Sequence, residues 1–183
     1  MAELPLLDLE RWEESCPADR ALAVATVQDA CARFGFLALT GTHLEETIKR
    51  ASAAATRFFQ KTRESKMEVG ARGSAYGYFP MKSEALGYAA DVQKQPDLRE
   101  AFSCGPLHPP PTRLRATEDP GMRAVVDFCY EQTPWPDADL QAALTDFYEQ
   151  CAELGSTVLR IMAIALDLPE DHFSLASSRG VQK

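Results

Sequence analysis

The sequence has little histidine, no long apolar run and no cluster of basic residues. Only three histidines occur among its 183 residues. No window of eighteen residues is both apolar and free of charge, so no transmembrane helix is expected. The net charge is −8 and no run of five basic residues occurs. We therefore expect no nucleic-acid partner and no binding to an anionic membrane surface.

The number and spacing of the cysteines do not indicate a disulfide framework or a zinc site. The five cysteines are an odd number, and none forms a CxxC pair. The N-terminus has neither the basic segment nor the long apolar segment of a signal peptide. We therefore expect reduced thiols and a cytoplasmic location. Only Cys31 has a basic residue close by, Arg33, so a reactive thiol is kept as an alternative only.

The longest periodic stretch covers residues 136–168. Pro136 suits the start of a helix, Asp137 places negative charge there, and Pro169 cannot continue a helix. The second half is apolar almost all round, which predicts burial on most sides. A coiled-coil strand is the alternative. Apolar residues recur in steps of four and three, the spacing of one helix face: Leu140, Leu144, Phe147, Cys151, Leu154, Val158, Ile161, Ala165 and Leu168.

Shorter elements are predicted before this long helix. A box of Thr42 and Glu45 is typical of a helix N-cap, and Gly35 is typical of a helix end. None of the strands can be shown from the sequence to pair with another, so the predicted class is α+β with an incomplete sheet. The predicted elements are a strand at 4–9, a helix at 21–34, a strand at 36–39, a helix at 43–59, a short charged helix within 61–69, a loop with a short strand at 70–87, a strand within 97–105, a loop from 108 to 120 and a helix at 121–130.

Six stretches, in this order and spacing, resemble one protein family. They are LPLLDL at the start, FGFLALTGT, FF followed by Lys61, YGYFP, DLREAF, and TPWP before the long helix. Together they are similar to the N-terminal region of the 2-oxoglutarate- and Fe(II)-dependent dioxygenases, in the isopenicillin N synthase-like group. The resemblance extends from residue 4 to about residue 175.

The resemblance implies a fold and a chemistry. The family has a double-stranded β-helix (jelly-roll) core, and its N-terminal region supplies flanking helices. The chain is thus expected to be the helix-rich N-terminal part of that fold, with a long helix at about 137–168 along the outer face of the major sheet. We expect a domain at 1–175 and a disordered tail at 176–183. Full-length members use Fe(II) and 2-oxoglutarate to oxidise small organic molecules.

The resemblance also implies what this chain lacks. The family's iron ligands are a His-x-Asp pair and a distant histidine, the facial triad of non-haem iron enzymes. Its co-substrate motif is Arg-x-Ser. All of these lie in the jelly-roll half, beyond the equivalent of Phe173. We therefore expect this chain to bind neither Fe(II) nor 2-oxoglutarate, to hold no catalytic, cofactor-binding or metal residue, and to be inactive by itself.

Possible substitutes for these motifs are weak. His43-x-Glu45 with a downstream His108 formally fits the metal pattern, but Glu45 is better explained as part of the helix cap, and His108 is bracketed by prolines. The Arg-Glu-Ser at 63–65 matches Arg-x-Ser in a charged helical stretch, where a three-residue match arises by chance. His172 has no carboxylate two positions on.

The segment YGYFP is the remaining candidate site. In the family, the equivalent segment folds over the mouth of the jelly-roll and often lines the substrate pocket. Tyr76 and Tyr78 could offer hydroxyls and stacking faces to a substrate, and Arg72 could bind a substrate carboxylate through two hydrogen bonds. The alternatives are packing of the tyrosines under the loop and a solvated charge at Arg72.

Two further expectations concern partners. Because the long helix has an apolar face that the fifteen residues after it cannot cover, we expect self-association through residues 158–168. The alternative to a domain of an oxygenase is a non-catalytic interaction or regulatory module that pairs with a full-length dioxygenase.

Overall fold

The structure is a computed structural model that describes residues 4–13, 16–83 and 97–173. Its strands form one parallel pair and one antiparallel pair. The predicted α+β class with an incomplete sheet is confirmed. The elements are β1 Leu6–Asp8, α1 Leu9–Glu13, α2 Pro17–Arg33, β2 Ala38–Thr40, α3 Glu45–Phe59, α4 Arg63–Met67, β3 Gly77–Phe79, β4 Ala101–Ser103, α5 Thr112–Arg115, α6 Pro120–Cys129 and α7 Ala138–Ala165.

The chain divides into two compact units, each with its own core. Among the described residues, the first unit comprises those within 4–48 and 146–173, and the second comprises those within 49–145. Residues from β1, α1, α2 and α7 form the first core: Leu7, Leu9, Trp12, Ala23, Val27 and Ile161. Residues from α3, β3 and α7 form the second core: Ala54, Phe58, Tyr78, Leu140 and Ala143. In the ranges that the structure describes, no helix is both long and apolar enough to cross a membrane.

The long helix α7 has a defined cap at each end. At its start, Oδ1 of Asp137 accepts the N–H of Leu140 at 2.9 Å. At its end, Asp167 adopts a left-handed φ of +56°. The N–H of Leu168 then reaches back to the carbonyl of Ala163 at 2.9 Å, which closes the helix as a Schellman motif. The helix therefore ends at Ala165, three residues before the predicted end.

Three local predictions were wrong. The start of α3 is not capped by Thr42, because His43 has a left-handed φ of +53° and the carbonyl of Leu44 accepts the N–H of Ile48. The helix therefore begins at Glu45. The predicted strand at 4–9 is shorter, since α1 begins at Leu9. The predicted loop at 108–120 contains the one-turn helix α5.

Part of the face at 158–168 is buried within the first unit. Ile161 and Ala163 are completely buried, and Ile161 belongs to the core built from β1, α1 and α2. Leu159 and Leu166 remain exposed, at 37% and 59%. Self-association through this face stays a prediction, and these two leucines are its exposed large side chains.

Candidate functional site

The aromatic segment lies in the second unit, where β3 is flanked by β4 on one side and by an isolated bridge to Gly70 on the other. On one side, Tyr78 in β3 is paired with Phe102 in β4. On the other side, the Tyr78 N–H donates to the carbonyl of Val69 at 2.8 Å, and the Ala71 N–H donates to the carbonyl of Tyr78 at 3.0 Å. Both edges of this three-residue strand are therefore held by backbone hydrogen bonds around Tyr78.

Gly77 allows β3 to lie close to the Val69 carbonyl and to Pro134. Its φ is +110°, a conformation that side chains of L-residues rarely adopt. A Cβ at this position would lie 2.6 Å from the carbonyl oxygen of Val69 and 3.0 Å from Cγ of Pro134. Because Pro134 belongs to TPWP, two of the quoted motifs meet at this glycine.

The ring of Tyr78 is a core side chain. Only 2% of the residue is exposed. Its ring packs edge-on against Phe58 with centroids 5.9 Å apart, and Phe58 also contacts Phe102 at 5.1 Å. Edge-to-face pairs at these separations are favourable beyond the area they bury. Three sequence-distant segments thus meet in one aromatic cluster.

The hydroxyl of Tyr78 lies in a polar network with Lys66 and Glu100. It donates to Oε2 of Glu100 at 2.5 Å. The buried Lys66 ammonium donates to the same oxygen at 2.7 Å and to the carbonyl of Phe59 at 3.1 Å. The Lys66 nitrogen also lies 5.3 Å from the centroid of the Tyr78 ring. One carboxylate oxygen therefore accepts from both the tyrosine and the lysine.

The three groups shift one another's pKa in consistent directions. The hydrogen bond from Lys66, followed by that from Tyr78, lowers the pKa of Glu100. The hydrogen bond to Glu100 raises the pKa of Lys66, against the effect of burial. Burial, followed by the bond to Glu100, raises the pKa of Tyr78. The network is thus a carboxylate, an ammonium and a neutral phenol at neutral pH.

Tyr76 has different partners from Tyr78, although only one residue separates them. Its hydroxyl donates to the carbonyl of Cys129 at 2.5 Å, at the end of α6. Its ring lies against Gly105, where a Cβ would come within 2.5 Å of the ring carbons. The Gly105 N–H donates to Oγ1 of Thr133 at 2.9 Å. Tyr76 is half-buried and so retains some accessible surface.

Arg72 is exposed in the turn that precedes β3 and has a φ of +45°. The structure thus places Arg72, Tyr76 and Tyr78 on one short segment but gives them different surroundings. A substrate role for the Tyr78 hydroxyl would require it to leave Glu100. For all three residues, contact with a substrate stays a prediction.

The described residues do not fit the family's iron site. Within 4–13, 16–83 and 97–173, no group of three or more His, Cys, Asp or Glu side chains could hold a metal ion. His43, His108 and His172 are each exposed. The segment at 63–65 opens α4, where the Ser65 N–H donates to the Thr62 side chain as in an N-cap.

Sequence reasoning missed Lys66 and Glu100 as parts of this site. Glu100 lies in the quoted DLREAF motif, but the motif gives no partner for it. Lys66 is one of several charged residues in KTRESKMEV, and its partner lies 34 positions away. The available signal for this site was the order of the motifs, because FF, YGYFP and DLREAF occur together in one family pattern.

Comparison with known proteins identifies the family. A family described as the N-terminal part of the non-haem dioxygenase in morphine synthesis matches residues 4–138. The chain belongs to this family. The resemblance drawn from the six motifs is thereby confirmed for this dioxygenase N-terminal domain.

Two relatives show the extent of the match. The 2-oxoglutarate-Fe(II) type oxidoreductase hxnY of Emericella nidulans is 26% identical over 185 residues, covering 97% of this chain and 50% of the relative. Azadirone synthase LFS of Melia azedarach is 29% identical over 157 residues, covering 82% of this chain and 43% of the relative. The chain thus spans about half the length of the curated relatives it matches.

Solved structures confirm the fold. A putative 2OG-Fe(II) oxygenase family protein of Caulobacter crescentus matches with a TM-score of 0.71 at 22% identity, covering 95% of this chain and 52% of that one. A full-length Neurospora crassa protein, solved in complex with alpha-KG, matches with a TM-score of 0.68 at 21% identity, covering 93% and 49%. The helix-rich fold with two small sheets is that of the N-terminal part of these jelly-roll oxygenases.

Proposed function

We propose that this chain is the N-terminal domain of a non-haem Fe(II)- and 2-oxoglutarate-dependent oxygenase that acts on a small organic molecule. The match to the dioxygenase N-terminal family over residues 4–138 carries the proposal. Two relatives support the same class: the 2-oxoglutarate-Fe(II) type oxidoreductase hxnY and the 2-oxoglutarate-dependent dioxygenase thnC of Trichoderma harzianum.

In this proposal the N-terminal domain, which is this chain, contributes to substrate binding. Iron, held by another part of the enzyme, supplies the oxygen activation, which is the chemistry of the cofactor. This chain supplies the segment from Arg72 to Tyr78. The Arg72 guanidinium binds a carboxylate of the substrate through two N–H groups, and the half-buried Tyr76 ring offers an apolar face.

By itself, the chain is proposed to bind no Fe(II) or 2-oxoglutarate and to have no oxygenase activity. The test is to incubate the purified chain with Fe(II), ascorbate and 2-oxoglutarate and to measure succinate. We expect no more succinate than in a protein-free control. Succinate formed in stoichiometric balance with 2-oxoglutarate loss would overturn the claim of inactivity.

The positive part of the proposal is tested by a chimera. Residues 4–173 replace the matched half of the Caulobacter crescentus oxygenase, and the chimera is assayed for bound iron and for succinate formation. A soluble chimera that binds iron and consumes 2-oxoglutarate supports an interchangeable N-terminal domain. A chimera that folds, by its circular dichroism and cooperative melting, but binds no iron would count against it.

The second candidate function is a regulatory module that pairs with a full-length dioxygenase. The favouring observation is that the chain exposes large apolar side chains, among them Leu6, Leu22 and Phe36. The discriminating test is to mix the chain with a full-length relative and to measure complex formation and succinate release. Inhibition at a fixed stoichiometry would favour the module. A cytoplasmic location also stays a prediction.

A further inference from the structure

In the sequence Tyr76-Gly77-Tyr78, either tyrosine could be the one that is buried in the core. Side chains alternate along a strand with a period of two, so a slip of two residues would bring Tyr76 to the position that Tyr78 occupies. Strand β3 has only three residues, and so short a strand specifies its register weakly. Additional contacts are needed to select one tyrosine for the core.

Gly77 excludes the two-residue slip. Such a slip would move Ala75 or Phe79 to the position that Gly77 occupies between Val69 and Pro134. The space there is closed, since a Cβ would lie 2.6 Å from a backbone oxygen. Neither residue fits unless the backbone of the adjoining segment moves. The glycine therefore permits one tyrosine only at the core position.

The Lys66–Glu100 pair excludes the one-residue slips. A slip of one residue would place Gly77 or Phe79 at the position of Tyr78, and neither offers a hydroxyl to Glu100. The carboxylate would then lose the 2.5 Å bond that it now accepts beside a buried ammonium. A partly buried charge that loses a partner is costly, so these registers are disfavoured.

The composition of the network favours a specificity role over a stabilising one. Replacing a buried ion pair with apolar residues of similar size is often neutral or stabilising, and the best-attested benefit of such a pair is the selection of a register. The neighbouring cluster of Phe58, Phe59 and Phe102 shows that apolar packing is available at this place. The lysine and the glutamate are therefore not needed to fill the core.

We propose that Gly77, Lys66 and Glu100 form a register lock, which selects Tyr78 for the core and thereby fixes Tyr76 and Arg72 as the displayed residues of the aromatic segment. Lys66 and Glu100 are positioning residues that act through Tyr78. The display of Tyr76 and Arg72 to a substrate rests on the proposed function. The selection of the register does not.

The test uses the 183-residue chain and the chemical reactivity of its tyrosines. The chain and its Lys66→Met/Glu100→Leu variant are nitrated with tetranitromethane under native conditions, and the rates at Tyr76 and Tyr78 are read by site-resolved mass spectrometry. In the unaltered chain, we expect Tyr78 to react at least tenfold more slowly than Tyr76. In the double variant, we expect this ratio to fall at least threefold as other registers become populated.

Three comparisons separate register selection from general stability. Lys61→Met removes another lysine of the same unit, one that pairs with Asp137 and lies 6.0 Å from the Phe58 ring. It should leave the nitration ratio unchanged. The urea midpoint of the double variant should stay close to that of the unaltered chain, because the apolar pair removes two partly desolvated charges while the Tyr78 hydroxyl loses its acceptor. Glu100→Gln, which keeps the shape of the side chain, should shift the ratio in the same direction by less.

Two results would overturn the register lock. One is an unchanged nitration ratio in a folded double variant. The other is a fall in the ratio together with a matching rise in the nitration of the half-buried Tyr130 and a lower urea midpoint, which would show a stabilising role only. No iron, co-substrate or substrate enters this measurement, so failure of the proposed oxygenase function would leave the result standing.

Discussion

The Lys61 ammonium lies 2.7 Å from Oδ2 of Asp137, while Oδ1 of the same carboxylate accepts the N–H of Leu140 at 2.9 Å. One aspartate thus caps α7 and joins its start to the end of α3. The bond from Leu140, followed by that from Lys61, lowers the pKa of Asp137. Both contacts lie in the second unit.

We expect Asp137→Ala to destabilise the chain more than Lys61→Met does. Loss of an N-cap costs about 0.5–2 kcal/mol, whereas a half-exposed ion pair contributes about 0–1 kcal/mol. Urea unfolding of both single variants and of the double variant measures the two terms and their coupling. Equal losses in the two single variants would show that the ion pair, and not the cap, is the main contribution.

Gly77→Ala tests the closed space beside β3. A left-handed backbone costs an L-residue about 1–2 kcal/mol, and the new Cβ must also displace the Val69 carbonyl. We therefore expect a loss of more than about 2 kcal/mol in the free energy of unfolding, above the strain alone. Gly35→Ala is the matched control, since Gly35 has a φ of +76° but no atom within 4 Å of its Cβ position. A similar loss of unfolding free energy in both variants would show that backbone strain is the cause and that the contact with the Val69 carbonyl adds nothing.

Phe58→Ala tests the aromatic cluster that supports the candidate site. Phe58 is 1% exposed, and truncation of a buried phenylalanine costs about 3–5 kcal/mol. The near-ultraviolet circular dichroism of the cluster should weaken at the same time. Phe128→Ala, at a half-exposed position in α6, should change stability by no more than about 0.5 kcal/mol. Comparable losses from the two variants would contradict the assignment of Phe58 to the core.

Acid should weaken the second unit through Glu100. Its pKa lies below the ordinary value of 4.5 in the folded chain. Such a carboxyl contributes stability that is fully present above its unfolded pKa and is lost as the pH falls through its folded pKa. The unfolding free energy should therefore decline below about pH 4.5, and less steeply in Glu100→Gln. The same slope in both proteins would exclude Glu100 as a contributor.

Much of the fold followed from periodicity and from local signals. The four-and-three spacing predicted α7 to within three residues of its C-terminal end, and Gly35 ends α2 with a positive φ as predicted. The start of α3 was wrong because the Thr42 and Glu45 pattern is local, whereas the left-handed turn at His43 decides where the helix begins.

The interior of the candidate site could not be predicted in the same way. Tyr76 and Tyr78 look equivalent in YGYFP, and no local pattern says which one is buried. The difference comes from contacts over long sequence separations, such as the 34 positions between Lys66 and Glu100. Sequence periodicity describes one helix or strand at a time. It therefore carries no information on a network that joins Lys66, Tyr78 and Glu100 from three separate segments.

The exposed leucines of α7 lead to a prediction about association. Leu159 and Leu166 are exposed beside the buried Ile161, and exposed apolar patches favour self-association. We expect the isolated chain to dimerise or aggregate, and Leu159→Ser/Leu166→Ser to shift it towards monomer in sedimentation velocity. Leu98→Ser, at a more exposed leucine outside α7, is the control and should leave association unchanged. If both variants associate like the unaltered chain, the contact lies outside Leu159 and Leu166. If the unaltered chain is itself a monomer, the prediction of self-association is wrong.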